Sequence, residues 1–438
     1  MSDRSQLNGR FVQTELSNGL SVLVQEAHAA PVASFWIWYR VGSRNEHLGT
    51  TGISHWVEHM LFKGTPAFPK GRAEKEIARQ GGAFNGATSY DFTTFFATLP
   101  TERIELALRI EADRMVNAVF DAEEVEAERT VIISERQGAE NNPEFLLNEE
   151  LMGAALRVHP YRSPTVGHLC DLETITRAQL YDHYQTYYAP NNALAVAAGD
   201  FDADAMVALI EKHFGGIEAG DGVPPVTAVE PPQRGERRVV VRREGFIPYL
   251  KVAFGAPTVR ESDFFAMTVL NAILTGASAM TFRGGGLTNK SSRLYKALVG
   301  EELAVGISGM LLPTVDPFLY SISAMVRPER SPAEVEEVLE AELTRVATDA
   351  VTQEEVDKAI KQAQAQFAYS SESVTGQALW LGFSEIFADH TWAETYLDTL
   401  ATVTAEDVRR VAEMYLDPTR RTVGWYVPTN NEQMSNDK

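Results

Sequence analysis

The sequence predicts an α+β protein of two structurally similar domains, each a mostly antiparallel sheet covered by helices. A chain of 438 residues is too long for one ordinary core. Strand-like and helix-like segments are mixed without a regular β-α-β alternation, which favours antiparallel sheets with helices packed on them. A short repeat near the end of each half indicates that the two domains are built alike.

The predicted domain boundary lies in a stretch rich in glycine and proline. Residues 215–238 have the sequence GGIEAGDGVPPVTAVEPPQRGERR, with two Pro-Pro pairs that cannot lie inside a helix or a central strand. We therefore expect an N-terminal domain at residues 1–215, a linker at 216–236 and a C-terminal domain at 237–438.

The repeat closes each half of the chain. The segment TRAQLYDHYQTYYAP begins at Thr176 and ends at Pro190, and TAEDVRRVAEMYLDP begins at Thr404 and ends at Pro418. An apolar run follows each of them, ALAVAAG in the first half and TVGWYV in the second. Threonine as N-cap, an amide or acidic residue in the first turn and proline as the stop predict a helix leading into a strand.

Hydrophobic periodicity assigns the other main segments. The runs LSVLVQE, ASFWIWYRV and TTFFATL alternate or are continuously apolar, which is typical of strands. The longer segments TERIELALRIEADRMVNAV and PAEVEEVLEAELTRVATDA repeat apolar residues at helical spacing, with charges on the other face. Together with the repeat, these assignments give each half strands and helices.

Composition and charge exclude several classes of protein. The 39 Lys and Arg against 60 Asp and Glu give a formal charge of −21, which opposes binding to nucleic acid and to anionic membranes. A single cysteine, Cys170, excludes an intramolecular disulfide and a cysteine-rich metal site. The sequence has neither a signal-peptide pattern nor a run of about 18 apolar residues. We expect no membrane span and a cytoplasmic location by default, or a periplasmic one if a leader has been removed.

The segment GISHWVEHMLFKGT carries the first candidate for chemistry. His55 and His59 are four residues apart, so on a helix they project from one face and can hold one ion through their ring nitrogens. Glu58 lies beside them and is placed to take a proton from a water at the metal, the role of a general base. The order His-x-x-Glu-His is the signature of inverted zincins. The alternative is a chance pair of histidines on a solvated helix face.

A catalytic zinc site needs a third protein ligand. The acidic segment DAEEVEAERTVIISERQGAE offers Glu128 and Glu135, which are seven residues, or two helical turns, apart and share a face. One carboxylate could bind the metal and the other could orient the water or another ligand, while Val131 and Ile132 or Ile133 turn toward the core. Spacing leaves open which glutamate is the ligand, and a solvated face is the alternative for the acidic run.

These motifs resemble the pitrilysin or insulinase family of zinc peptidases, and most closely its bacterial branch that is similar to mitochondrial processing peptidase. The resemblance includes LSNGLSVLVQE, HWVEHMLFKGT, GGAFNGATSYDFTTF, ERTVIISE, YYAPNNALAVAAGD and SSRLYKAL. It implies two similar α+β domains with one zinc ion per chain, in the first domain only. It also implies Glu135, 76 residues after His59, as the third ligand and Glu128 as an additional catalytic carboxylate.

The resemblance also implies how substrate binds. In the family the strand that matches GGAFNGATS is an exposed sheet edge beside the zinc, and an extended peptide adds to it through main-chain hydrogen bonds. Asn85 and Gly86 would then face the peptide around the scissile bond. Alanine is usual in the family where this chain has Gly86. An ordinary hairpin strand is the alternative.

The resemblance further implies a zinc endopeptidase that cleaves peptides or unfolded segments inside a chamber. Members that act with one kind of chain carry an Arg and a Tyr after their SSRLY-like segment, and those positions are occupied here by Val299 and by Gly306, or Val305 with one deletion. We therefore predict the catalytic subunit of a heterodimer whose homologous partner supplies the Arg and Tyr. The alternative is a non-catalytic zinc-binding core subunit or a peptide-binding subunit of a complex.

Overall fold

The computed structural model describes residues 9–277, 290–349 and 351–429. The strands of the described chain are β1 (Phe11–Glu15), β2 (Ser21–Glu26), β3 (Val32–Tyr39), β4 (Ala83–Thr88), β5 (Thr93–Pro100), β6 (Ala193–Gly199), β7 (Arg237–Glu244), β8 (Tyr249–Ala256), β9 (Ala304–Leu311), β10 (Phe318–Val326) and β11 (Thr422–Thr429).

The α-helices of the described chain lie between these strands, the first after β3 and the last before β11. They are α1 (Ile53–Leu61), α2 (Arg72–Arg79), α3 (Glu105–Asn117), α4 (Ala122–Glu140), α5 (Pro143–Ala155), α6 (Leu169–Leu172), α7 (Arg177–Tyr187), α8 (Ala203–Phe214), α9 (Asp263–Leu274), α10 (Pro332–Thr348), α11 (Gln353–Ser370), α12 (Val374–Phe387), α13 (Thr391–Ala401) and α14 (Ala405–Tyr415).

The contacts divide the chain into two compact units that exchange segments. One unit contains Met1–Gln137, Ser163–Thr227 and Ser370–Glu394, and the other contains Gly138–Arg162, Ala228–Tyr369 and Thr395–Lys438. Each unit therefore includes a helix from the other half of the sequence: α12 belongs to the first unit and α5 to the second. A division of the chain into two consecutive segments at residues 216–236 does not include these two exchanged helices.

The first unit is built on a six-stranded sheet with the order β1-β2-β6-β3-β5-β4. All neighbours pair antiparallel except β2 and β6, which are parallel. Strand β3 is buried along nearly its whole length because both of its faces are covered. On one face Phe35, Ile37 and Tyr39 belong to a core shared with side chains of α1, α3, α7 and α8.

The other face of β3 packs against α12. Trp36 and Trp38 lie on this face, and the ring centroid of Trp38 is 5.5 Å from that of Phe383. Gly382 allows the helix to approach closely, because a Cβ atom there would lie 2.3 Å from Trp38 Cε2. The doubly apolar sequence of β3 is therefore explained by helices on both sides of the sheet.

The second unit repeats this plan with a five-stranded sheet of order β7-β11-β8-β10-β9. Only β7 and β11 pair in parallel. Helices α10 and α14 contact one another and the sheet, and α5 contacts β7, β8 and β11. Gly424 of β11 lies under α5, since a Cβ there would be 2.8 Å from Leu147 Cδ1. The predicted class, two similar α+β domains with mostly antiparallel sheets covered by helices, is confirmed.

The predicted repeat is present in both units. Thr176 caps α7 and Thr404 caps α14, each through a reciprocal capping box with the residue three positions later, Gln179 or Asp407. The short helical turns beginning at Pro190 and Pro418 end the two segments. The strands that follow are β6 and β11. Each pairs in parallel with one neighbour, β6 with β2 and β11 with β7.

Within the described residues, no helix is both long enough and apolar enough to span a membrane.

Candidate metal centre

Helix α1 presents the His-x-x-Glu-His motif. Ile53, Trp56, Val57 and Met60 recur at helical spacing and are buried in the core of the first unit. This apolar stripe fixes the rotation of the helix, so His55 and His59 lie on another face and are half-buried. The predicted helix and its shared histidine face are therefore both present.

The N-terminus of α1 is capped from outside the helix. Gly52, the N-cap residue, has φ 86°, a conformation that favours glycine. Because glycine has no side chain, it offers no capping group. The buried carboxylate of Glu46 replaces it by accepting hydrogen bonds from the backbone N–H of Gly52 at 2.8 Å and of Ser54 at 2.9 Å. The carboxylate of Asp171 accepts from Gly49 N and from Thr51 N and Oγ1. Two carboxylates thus hold the loop that delivers His55.

His55, His59 and Glu135 form the one group of at least three His, Cys, Asp or Glu side chains in the described chain with ligand atoms close enough for a metal ion. One ligand atom from each lies within 4.8 Å of the other two. The Nε2 atoms of His55 and His59 are 3.2 Å apart, and Glu135 Oε2 is 3.9 Å and 3.7 Å from them. The structure therefore brings together all three residues predicted as ligands.

The chemistry of this group fits a zinc ion. Two imidazole nitrogens and one carboxylate oxygen are a donor set of catalytic zinc sites. Burial, followed by the neighbouring His59, lowers the pKa of His55 to about 3, which keeps its ring neutral as a ligand must be. His55 Nδ1 is buried and has no hydrogen-bond partner in the part of the chain that the structure describes. A cation would instead bind His55 Nε2, the ring nitrogen that faces His59 and Glu135.

Glu58 lies beside the group in a different environment. Its side chain is buried, and burial raises its pKa above the ordinary value even though Thr88 donates a hydrogen bond to it. Thr88 Oγ1 lies 2.7 Å from Glu58 Oε2. A raised pKa makes a carboxylate a stronger proton acceptor, which suits a general base.

Glu128 is in contact with His59 on the side of the ring away from the ligand atom. Its Oε1 lies 2.8 Å from His59 Nδ1, and its Oε2 pairs with the ammonium group of Lys63. Although burial acts in the opposite direction, these hydrogen bonds lower the pKa of Glu128. A carboxylate on the second nitrogen of a ligand histidine fixes the ring and its tautomer.

Helix α4 places Glu128 and Glu135 on one face, as their spacing predicts. Glu128 is buried and Glu135 is exposed. Ile132 is fully buried and Ile133 is half-buried, but the prediction that Val131 turns toward the core is wrong, because its side chain is 43% exposed. Val131 and Ile132 each lie three or four residues from both Glu128 and Glu135, so spacing alone did not distinguish the exposed residue from the buried one.

Asn85 and Gly86 lie on β4, the edge strand of the first sheet. Within the described residues β4 pairs with β5 alone, so its outer edge carries unpaired backbone groups. Asn85 is exposed. Gly86 faces the candidate base, since a Cβ there would lie 3.1 Å from Glu58 Oε1.

Sequence reasoning missed the residues that support the site. Glu46 has no N-cap pattern in the sequence, because it lies six residues before Gly52, the N-cap position of α1. Lys63 lies in the quoted HWVEHMLFKGT segment, four residues after His59, a spacing that places both on one side of a helical turn. Thr88 is two residues after Gly86, and the period of two of a strand could have assigned both to one face.

The positions that match the Arg and Tyr of other family members lie in the second unit. Val299 belongs to a π-helical turn, Tyr295–Gly300, and Gly306 lies on β9. Val305 is exposed on the same strand. None of these side chains can donate a hydrogen bond.

Two similar domains and an inverted His-x-x-Glu-His helix with a nearby glutamate define a class of metallopeptidase-like proteins. Comparison with known families agrees, since the model described as insulinase (peptidase family M16) matches residues 21–168. The model described as the peptidase M16 inactive domain matches residues 174–363. The chain belongs to the M16 family, of the insulinase or pitrilysin type.

Individual relatives cover almost the whole chain. An uncharacterized zinc protease of Mycobacterium tuberculosis is 30% identical over 412 residues, 92% of this chain and 90% of the relative. The beta subunit of the mitochondrial-processing peptidase of Lentinula edodes is 26% identical over 423 residues, 93% of this chain and 88% of the relative. The crystal structure of a protease from Helicobacter pylori matches with a TM-score of 0.90 and 26% identity, covering 96% of this chain and 100% of that one. The resemblance to the bacterial, processing-peptidase-like branch is confirmed.

Proposed function

We propose that this chain is a zinc metalloendopeptidase that hydrolyses peptides or unfolded polypeptide segments. The observation that carries the proposal is the group of His55, His59 and Glu135 with the buried carboxylate of Glu58 beside it. The zinc protease names of relatives that span almost the full chain support it. We assign one zinc ion per chain to this group.

The ligands, Glu58 and Glu128 have different roles in the proposed hydrolysis. His55, His59 and Glu135 would hold the zinc ion, which would polarise the scissile carbonyl as a Lewis acid and make a nearby water more acidic. Glu58 takes a proton from the attacking water as the new carbon–oxygen bond forms, and returns it to the leaving nitrogen as the carbon–nitrogen bond breaks. Glu128 holds the ring of His59 through Nδ1, so its part in turnover is to position a ligand.

The edge strand β4 is proposed to bind the substrate. An extended peptide can add to an unpaired sheet edge through main-chain hydrogen bonds. Asn85 and Gly86 would face that peptide next to Glu58, which is supported by the short distance between the Gly86 position and the Glu58 carboxylate. Extended binding selects peptides and unfolded segments, because a folded domain rarely offers a free strand.

We further propose that the active form is a heterodimer with a homologous chain. Val299 and Gly306, or Val305, stand where single-chain members of the family have an Arg and a Tyr, and these residues offer no side-chain donor. The name of the Lentinula edodes relative, a processing-peptidase beta subunit, supports a partner-dependent form. The partner would supply the Arg and Tyr in an enclosed chamber around the substrate.

A non-catalytic role is the second candidate. The second half matches a family model described as an inactive domain, and a zinc-binding core subunit or a peptide-binding subunit would keep the same fold. Such a subunit would bind peptide and metal without cleaving.

The deciding experiment is a cleavage assay on a mixed peptide library. The purified chain is assayed alone and together with a homologous chain that lacks the metal motif, each with and without a chelator. We expect cleavage that the chelator abolishes and that the partner increases. Peptide binding without cleavage in every combination would favour the non-catalytic role, and full activity of the chain alone, unchanged by the partner, would exclude the heterodimer.

A further inference from the structure

The carboxylate of Glu58 is held by two residues on one face of β4. Thr88 Oγ1 donates to Glu58 Oε2 at 2.7 Å. Gly86, two residues earlier on the same side of the strand, lies against the other oxygen, since a Cβ there would be 3.1 Å from Oε1 and 2.8 Å from Phe95 Cδ1. The missing side chain at Gly86 therefore leaves the space that Oε1 faces.

The two oxygens of Glu58 are consequently not equivalent. Among the described residues the Thr88 hydroxyl is the one hydrogen-bond donor to this carboxylate. Oε2 has a partner of fixed position, whereas Oε1 has none and borders the glycine. A buried carboxylate with one anchored oxygen presents the other in a defined direction.

Thr88 is itself fixed by the sheet. It is the last residue of β4 and pairs with Thr93 of β5, whose hydroxyl lies 3.3 Å away. Thr93 Oγ1 also lies 2.9 Å from the carbonyl oxygen of Val41, which accepts its hydrogen bond. The β-branched side chain of threonine has few rotamers on a strand. The donor that reaches Glu58 is therefore rigid.

We propose that Thr88 is a positioning residue for Glu58, which makes Oε1 the oxygen that takes the proton. The inference rests on the proposed peptidase function. In the step, an O–H bond of the attacking water breaks, its oxygen bonds to the scissile carbonyl carbon, and the proton goes to Oε1. Oε1 then gives that proton to the leaving nitrogen as the scissile carbon–nitrogen bond breaks, while Oε2 keeps its hydrogen bond to Thr88 throughout.

The same strand would link substrate binding to the base. The outer edge of β4 is the proposed site of strand addition, and its inner face carries Gly86 and Thr88. A peptide bonded along this edge would restrict the backbone on which both residues lie. Binding of an extended substrate thus also stabilises the orientation of Glu58.

The test compares Thr88→Val with Thr88→Ser in the zinc-loaded protein. Valine keeps the shape and removes the donor, whereas serine keeps the donor. We expect Thr88→Val to lower kcat about 10- to 100-fold, because misplacing a reacting group by about 1 Å can cost about 10²-fold, with KM and zinc content unchanged. Thr88→Ser should retain kcat within about threefold. If Thr88→Val does not fold, Thr88→Ala replaces it.

Crystal structures of the same proteins give a readout that does not depend on activity. We expect Glu58 Oε2 at hydrogen-bond distance from residue 88 in the parent and in Thr88→Ser, and a turned or divided carboxylate in Thr88→Val. An unchanged kcat and an unchanged carboxylate in Thr88→Val would overturn the proposal. A carboxylate that turns only in Thr88→Val, in a parent protein that cleaves nothing, would support the positioning role and count against the peptidase function.

Discussion

Glu128 Oε1 lies 2.8 Å from His59 Nδ1, on the opposite side of the imidazole ring from the Nε2 atom that faces His55 and Glu135. One carboxylate of α4 therefore orients a candidate ligand, while the carboxylate two turns later completes the ligand group. Lys63 pairs with the second oxygen of Glu128, so the orienting group is held from both sides. The arrangement makes separate predictions for the two glutamates.

Replacing Glu128 by glutamine should weaken zinc binding without removing it. The amide oxygen can still accept from His59 Nδ1, but the amide N–H₂ then faces the Lys63 ammonium, a donor against a donor. We expect zinc affinity to fall about 10- to 100-fold, measured by competition with a chelator. Glu126→Gln is the control, since Glu126 is on the same helix and pairs with Arg129 at the surface. Equal losses in both variants would show that Glu128 has no special role.

Removing a ligand should abolish stabilisation by zinc. A metal that binds only the folded state stabilises it by RT ln(1 + [L]/Kd). This is about 4 kcal/mol when the free metal concentration is a thousand times Kd. We expect added zinc to raise the Tm of the parent and not that of His55→Ala, His59→Ala or Glu135→Ala. If added zinc raised the Tm of Glu135→Ala as much as that of the parent, Glu128 rather than Glu135 would be assigned as the third ligand.

Proline at position 86 should block substrate addition while leaving the metal in place. It fixes the backbone angle and removes an amide donor at the centre of the edge. We expect turnover to fall by up to about tenfold, as loss of one main-chain hydrogen bond of up to about 1.5 kcal/mol would give, with unchanged zinc content. Ala83→Pro is the control, because proline is tolerated at the first residue of a strand. Normal kinetics in a folded Gly86→Pro protein would exclude β4 as the binding edge.

The buried cap of α1 should give stability a measurable pH dependence. Burial raises the pKa of Glu46 from its ordinary 4.5 to about 7, against the hydrogen bonds from Ser54 and Gly52, and the charge of Asp171 acts in the same direction as burial. The folded state then holds this proton more tightly than the unfolded chain. The associated stabilisation is complete below pH 4.5 and is lost as pH rises through about 7, at most about 3 kcal/mol.

Glu46→Gln removes this titration and isolates its effect. Other charged and titratable groups near Glu46, such as Asp171, Tyr187 and Tyr188, remain in both proteins and cancel in the comparison. We expect the Tm of the parent minus that of Glu46→Gln to decrease between pH 5 and pH 8. A difference that stays constant or grows over this range would contradict the raised pKa.

Local spacing predicted the parts of the site that lie within one helix. His55 and His59 share a face because they are four residues apart, and Glu128 and Glu135 because they are seven apart. The pairing of α1 with α4 could not be obtained this way, since it depends on how the core packs, and Glu135 was assigned through family resemblance. The contacts of Glu46 and Thr88 also join distant segments and have no local pattern.

The fold shows the same limit. Capping boxes at Thr176 and Thr404 predicted the repeated helix–strand units because the capping interactions are local. The exchange of α5 and α12 between the units was not predicted. The sequence features that accompany it are the continuously apolar β3 and the glycines at positions 382 and 424, where a helix and a strand approach closely. Such residues indicate that something packs closely, but not which helix.

The most direct test of the account measures zinc content and turnover on the same preparations of the parent and of Glu58→Gln, each combined with the proposed partner subunit. Glutamine keeps the size of the side chain but cannot accept the proton of the attacking water. We predict one zinc per chain in both proteins and cleavage in the parent, with a loss of at least about a hundredfold in Glu58→Gln. Equal turnover of the two zinc-loaded proteins would contradict the assignment of Glu58 as the base.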